Sequence, residues 1–255
     1  MELQEFLKVQ DIVEKYQAGN GEVLALDGVS FTVRRGEFIS IVGPSGCGKS
    51  TLLSIIAGLE KPTYGTVLLG GDEIHGIDSR IGYMLQNDNL LDWKSIFHNI
   101  LLGLKIQKKL SSDNLSYVDR LIETYGLSEF RDKYPSQLSG GMRQRAALIR
   151  TLAIRPQLLL LDEAFSALDY QTRLQVTDDV RRILRKEHQT TIMVTHDIPE
   201  AISMSDRILV LTARPGVIKA VHELDFGDEL SPLERRNHPR FSHYFGMIWG
   251  ELSEE

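Results

Sequence analysis

Short apolar runs bounded by turn residues alternate along this chain with stretches whose apolar positions recur every three or four residues. Residues 38–42 (FISIV) form a compact apolar run that ends at a glycine-rich turn, and the spacing predicts a helix over 49–57 directly after it. Runs at 65–69 and 81–84 predict further strands. Between 87 and 151 the pattern turns helical with few β-branched runs, which predicts an inserted helical subdomain. Strand-like runs return at 158–162, 191–195 and 207–211, with a charged helical segment over 170–186. This alternation gives an α/β fold with a largely parallel central sheet. It divides the chain into a first core part (1–86), a helical subdomain (87–151), a second core part (152–225) and a C-terminal helical tail (226–255). The tail holds one helical-looking piece, 241–252, to which no chemistry attaches.

Composition narrows the function without choosing it. The 255 residues are 42% hydrophobic and 25% charged, ordinary for a soluble globular protein, and a formal net charge of −6 gives no global attraction to nucleic acid or anionic lipid. Cys47 is the one cysteine, so an intramolecular disulfide is impossible and a reducing compartment is expected. The seven histidines show no paired metal-ligand spacing. The first residues, MELQEFLKVQDIVEKY, are too charged for a signal peptide, and runs such as 158–161 fall far short of the ~20 apolar residues of a membrane helix. Any transport role is therefore expected to work through a partner.

The chemistry begins at Gly43-Pro44-Ser45-Gly46-Cys47-Gly48-Lys49-Ser50, which fits G-x-x-x-x-G-K-[ST] between an expected strand and an expected helix. Glycines let successive N–H groups point inward at phosphate oxygens, and the following helix adds the positive end of its dipole. Lys49 can reach the β- and γ-phosphates, the Ser50 hydroxyl can ligate Mg²⁺, and Thr51 completes the segment. Four leucines then lead into Asp162-Glu163 at the C-terminal end of a strand, where α/β sheets bind ligands. Asp162 can hold Mg²⁺ through its water shell, and Glu163 can polarise an attacking water as general base. The ligands implied are ATP and Mg²⁺.

Leu138-Ser139-Gly140-Gly141-Met142-Arg143-Gln144-Arg145 adds a second anion-binding helix start, with Ser139 and the Gly140 and Gly141 amides as donors. This segment resembles the signature of the ATP-binding cassette (ABC) family. The resemblance extends in order through almost the whole chain to about residue 224. It implies a phosphate-loop NTPase core of the ABC type with an inserted helical subdomain and a small antiparallel β part. It also implies a homodimer in which the signature of one copy closes over the nucleotide of the other. Further positions resemble family residues individually. Gln86 looks like the glutamine that contacts Mg²⁺ and the attacking water. Asp169, in SALD, looks like the interface loop, and it could equally N-cap the following helix. His196 looks like the γ-phosphate-sensing histidine, and Tyr16 like the aromatic that stacks on adenine, with a core or surface tyrosine as the alternative. The chain departs from the common pattern at Met142, where glutamine is frequent, and at Ala164, where proline is usual.

The cassette is single and unsplit, as in importer motors. Leu91-Asp92-Trp93 and the tail FSHYFGMIWGEL resemble motors of the nitrate/sulfonate/taurine importer family, with Asp92 in place of the usual proline. The resemblance implies an ATPase on the cytoplasmic face of the cell membrane, bound peripherally to an integral membrane permease and served indirectly by an extracellular or periplasmic substrate-binding protein. No nucleic-acid partner is implied. The solute would be small, anionic or heterocyclic. Leu91 and Trp93 would anchor the permease; the alternative for Trp93 is the core of the helical subdomain. The rival function is a soluble ABC ATPase acting in an assembly or a lipid or lipoprotein extraction complex. Cys47, inside the phosphate loop, is a candidate for inhibition by thiol alkylation.

Overall fold

The computed structural model describes residues 5–19, 21–227 and 230–253. The chain folds as two compact units, one from Met1–Asp78 with Arg181–Glu255 and the other from Ser79–Val180. In chain order the first unit opens with β1 (Glu5–Ala18), β2 (Gly21–Arg34), β3 (Phe38–Val42), α1 (Lys49–Ile56), β4 (Tyr64–Leu69) and β5 (Asp72–Glu73). The second unit holds β6 (Ile81–Met84), α2 (Ile96–Ile100), α3 (Leu102–Ile106), α4 (Ser112–Thr124), α5 (Gly140–Leu152) and β7 (Leu158–Asp162). It also takes the first part of α6 (Tyr170–Lys186). The first unit resumes with β8 (Thr190–Val194), α7 (Ile198–Met204), β9 (Arg207–Leu211), β10 (Ile218–Glu223), α8 (Pro232–Arg236) and α9 (Pro239–Ser253).

The first unit contains two sheets. In one, β9, β3 and β8 run parallel and β10 joins β9 antiparallel. Every residue of β3 and β8 is buried, which is why these strands read as continuous apolar runs without alternation. The other is the antiparallel part, in the order β2-β1-β4-β5. Its two longest strands, β1 and β2, gave no clear strand signal in the sequence. Their pairing is interrupted by register shifts between positions 5 and 15, and Asp11 adopts φ 48° at one of them. Each bulge resets the inward–outward alternation, so period two never persists.

The C-terminal helices close the far side of the first unit. Ser231 and Glu234 form a reciprocal capping box around the start of α8, with Pro232 at its first position. Ile248 of α9 is fully buried against Ile198, Ile202, Ile208 and Phe226. Burial of an isoleucine of this kind contributes about 1.5–3 kcal/mol. His222 Nε2 of β10 and a Glu251 carboxylate oxygen of α9 add a hydrogen bond at 2.8 Å.

In the second unit β6 and β7 pair in parallel, from Ile81 against Leu158 to Met84 against Leu161. Serines start its helices: Ser95, Ser111 and Ser139 each accept a backbone N–H at the start of α2, α4 and α5. The stretch 85–95 before α2 is a loop rather than helix, because fully buried Asn99 binds its backbone at Leu91, Lys94 and Ser95. Among the described residues no helix is long and apolar enough to cross a membrane.

Candidate nucleotide site residues

In the first unit β3 delivers the chain at Val42 into the 43–48 turn, and α1 begins at Lys49. Gly46 and Gly48 have φ of 77° and 97°, where a side chain is strained. A Cβ on Gly48 would lie 2.7 Å from Leu26 Cδ2, and one on Gly43 would lie 2.8 Å from Cys47 Sγ. The loop is thus closely packed on its outer side and can curl only with glycine at these places. Helix α1 carries no side-chain cap and no acidic residue in its first turn, so its N-terminal amides keep their affinity for an anion. Lys49 is only 7% exposed; its ammonium donates to the carbonyls of Gly43 and Pro44, both at 2.8 Å. Backbone amides, a helix start and a held ammonium are the donor set that a polyphosphate requires.

Two other expected residues belong to this unit. The Tyr16 hydroxyl donates to Thr51 Oγ1 at 3.3 Å while the residue stays 37% exposed, which places an accessible aromatic beside the start of α1. Burial of the hydroxyl and the nearby Glu60 and Glu14 raise its pKa, so it stays protonated. Val194 pairs with Ile41 in the parallel β3–β8 ladder. His196, two residues beyond, therefore leaves the same sheet edge as the phosphate loop, and it is exposed.

The second unit gathers Gln86, Asp162 and Glu163. Because β6 and β7 are parallel and in register, the residues after both strands meet at one end of the pair. Gln86 Nε2 donates to Glu163 Oε2 at 3.1 Å. Tyr83, which the sequence did not single out, donates its hydroxyl to Asp162 Oδ2 at 3.1 Å. Asp162 is buried, and the tyrosine fixes one of its oxygens. Glu163 has φ 47°, a left-handed conformation that costs a non-glycine residue about 1–2 kcal/mol. Its carbonyl accepts from Ser166 N at 3.1 Å and Ser166 Oγ at 2.9 Å, which holds the turn. A strained, hydrogen-bonded carboxylate is one whose direction is set in advance.

Ser139, Gly140 and Gly141 lie at the start of α5, where Ser139 Oγ accepts from Met142 N at 3.4 Å. A Cβ on Gly141 would lie 2.6 Å from Thr172 Cγ2, so this glycine sets how closely α5 approaches α6. Asp169 accepts from Thr172 N at 3.1 Å and so N-caps α6; hydrogen bonds from the Thr172 hydroxyl and then its backbone N–H lower the Asp169 pKa and keep it ionised. Helix α5 also grips the segment after Gln86. Arg143 Nε donates to Asp88 Oδ2 at 3.0 Å, and Arg150 donates to the carbonyls of Asp88 and Asn89 at 2.6 and 2.7 Å. Desolvation lowers the Arg150 pKa, with Asp88 opposing it. These contacts have no local sequence signal, since each partner lies more than fifty residues from the other.

Two open readings are resolved by burial. Cys47 is fully buried, with Sγ 3.6 Å from Lys49 Nζ, so alkylation is sterically hindered despite its place in the loop. Trp93 is 73% exposed and is not part of the core of the second unit. Among the described residues no group of three or more His, Cys, Asp or Glu side chains could hold a metal.

The sequence matches the ABC transporter family over residues 26–166. It is 47% identical, over 97% of this chain and 96% of the relative, to an uncharacterised ABC transporter ATP-binding protein of Bacillus subtilis. It is 37% identical to a taurine import ATP-binding protein of Jannaschia, over 98% and 96% of the two chains. Among solved structures, the dimeric post-hydrolysis state of the ATP-binding cassette MJ0796 bound to ADP and Pi has a TM-score of 0.74 and 30% identity. That alignment covers 87% of this chain and all of the other.

Proposed function

Because this chain belongs to the ABC transporter family of ATP-binding proteins, we propose that it is the ATP-hydrolysing motor of an importer, driving uptake of a small anionic or heterocyclic solute through a separate permease. The ATPase activity follows from the family. The observation that carries the importer reading is Trp93, an indole 73% exposed on a loop whose backbone is held by buried Asn99. A rigid loop presenting an aromatic anchor suits docking into a groove of a partner. Relatives named as taurine import, bicarbonate transport and nitrate import ATP-binding proteins support a small, charged solute.

The residue roles follow the chemistry of each group. The 43–51 amides and Lys49 bind phosphate, and Tyr16 offers its ring to adenine. Ser50, Asp162 and Gln86 are the residues that would hold Mg²⁺, which would supply neutralisation of phosphate charge. Glu163 accepts the proton of the attacking water, kept in position by Gln86, and His196 senses the γ-phosphate. Ser139, Gly140, Gly141 and Asp169 act at the interface of a homodimer, in which each copy closes over the nucleotide of the other; that the MJ0796 cassette is dimeric supports the homodimer. The protein then sits peripherally on the cytoplasmic face of the membrane, and a substrate-binding protein outside feeds the permease. Trp93→Ala should lower co-purification of the permease about tenfold or more while ATP binding is retained, measured by detergent pull-down and nucleotide titration. Normal assembly of this variant would remove Trp93 from the docking surface.

A further inference from the structure

The turn between β9 and β10 lies against the outer side of the phosphate loop. Gly216 is pressed so closely onto it that a Cβ there would stand 2.2 Å from the Cys47 carbonyl oxygen. The same glycine is tied to β2, donating to the Ala25 carbonyl at 2.9 Å and accepting from Asp27 N at 3.1 Å. Two residues before it, the Arg214 guanidinium donates through Nε and Nη2 to the Gly46 carbonyl, at 3.3 and 3.2 Å. Leu211, at the end of β9, fills the space beside Gly43, 3.1 Å from where a Cβ would be. The loop carbonyls at 46 and 47 thus face this turn, and the cation among these contacts is Arg214.

We propose that Arg214 is a positioning residue for nucleotide binding, which, with Gly216, braces the phosphate loop from behind so that its amides are set for the phosphates before ATP arrives. A charged donor on the Gly46 carbonyl fixes the Gly46–Cys47 peptide plane, whose N–H closes the turn onto the Pro44 carbonyl at 3.4 Å. Without the brace, ATP must order this peptide at the expense of binding free energy. The guanidinium is suited to the task because its planar fork places two donors on one oxygen, which an ammonium does not reproduce. The turn does not touch the reacting atoms, so its effect falls on binding rather than on the chemical step. The proposal rests on the 43–51 segment being the nucleotide loop.

The test is titration of ATP and ADP into Arg214→Ala, Arg214→Lys, Gly216→Ala and Lys49→Ala, with steady-state ATPase on the two Arg214 variants. Arg214 is exposed, so R214A should fold, which its melting temperature checks. R214A should weaken both nucleotides roughly five- to tenfold and raise KM to match, with kcat within about twofold of the wild type. R214K should recover only part of the affinity, and G216A should weaken binding through a displaced loop. Unchanged affinity in folded R214A, a fall in kcat at constant KM, or complete rescue by lysine would each overturn the brace. If K49A binds ATP as the wild type does, the loop assignment itself fails and the brace falls with it.

Discussion

Glu163 shows how a single residue combines a sequence signal with a conformation the sequence does not announce. Its place after four leucines and an aspartate makes it a candidate base, whereas its left-handed backbone, its bond to Gln86 and the Ser166 contacts that hold the turn emerge only in the fold. Glu163→Gln keeps the size of the side chain but cannot take up the proton of water. Hydrolysis should fall by about two to four orders of magnitude, followed by phosphate release, while ATP affinity changes little. Rapid turnover in this variant would remove Glu163 from the role of base. The phosphate loop was readable because its chemistry sits in eight consecutive residues. Tyr83 was not, because its partner Asp162 lies 79 positions away and meets it only through the parallel pairing of β6 and β7. Arg214 escaped for the same reason, at 168 positions from Gly46.

At the scale of elements, the compact strands β3, β7, β8 and β9 were legible because they are buried throughout, save Arg207 at the start of β9, and the helix α6 because it is amphipathic. The long β1 and β2 were not, since bulges reset their alternation. The helix with the most varied duties is α5. Its start carries Ser139, Gly141 lets it approach Thr172, and Arg143 and Arg150 hold the segment after Gln86. An arginine at position 139 would lose the cap, worth about 1 kcal/mol, and put a bulky cation at the exposed helix start. Ser139→Arg should therefore leave ATP binding by the isolated chain within a few-fold of normal while abolishing most ATPase activity, as measured by nucleotide titration beside turnover. Unimpaired hydrolysis would count against a role for this helix start at a composite site.

For the whole molecule, membership of the ABC transporter family is plain, whereas an assignment to import depends on partners. The cassette supplies ATP hydrolysis, and among its described residues no helix is long and apolar enough to cross a membrane. The proposed docking of a permease rests on Trp93, which is exposed on a loop whose backbone Asn99 holds. The most direct test is a gentle detergent pull-down of the tagged protein from its native cells, with mass spectrometry of what co-purifies. A multi-span permease should be recovered in stoichiometric amount, and its identity would narrow the solute. Recovery of soluble partners only, from a protein that still hydrolyses ATP, would contradict the importer assignment and favour an assembly ATPase.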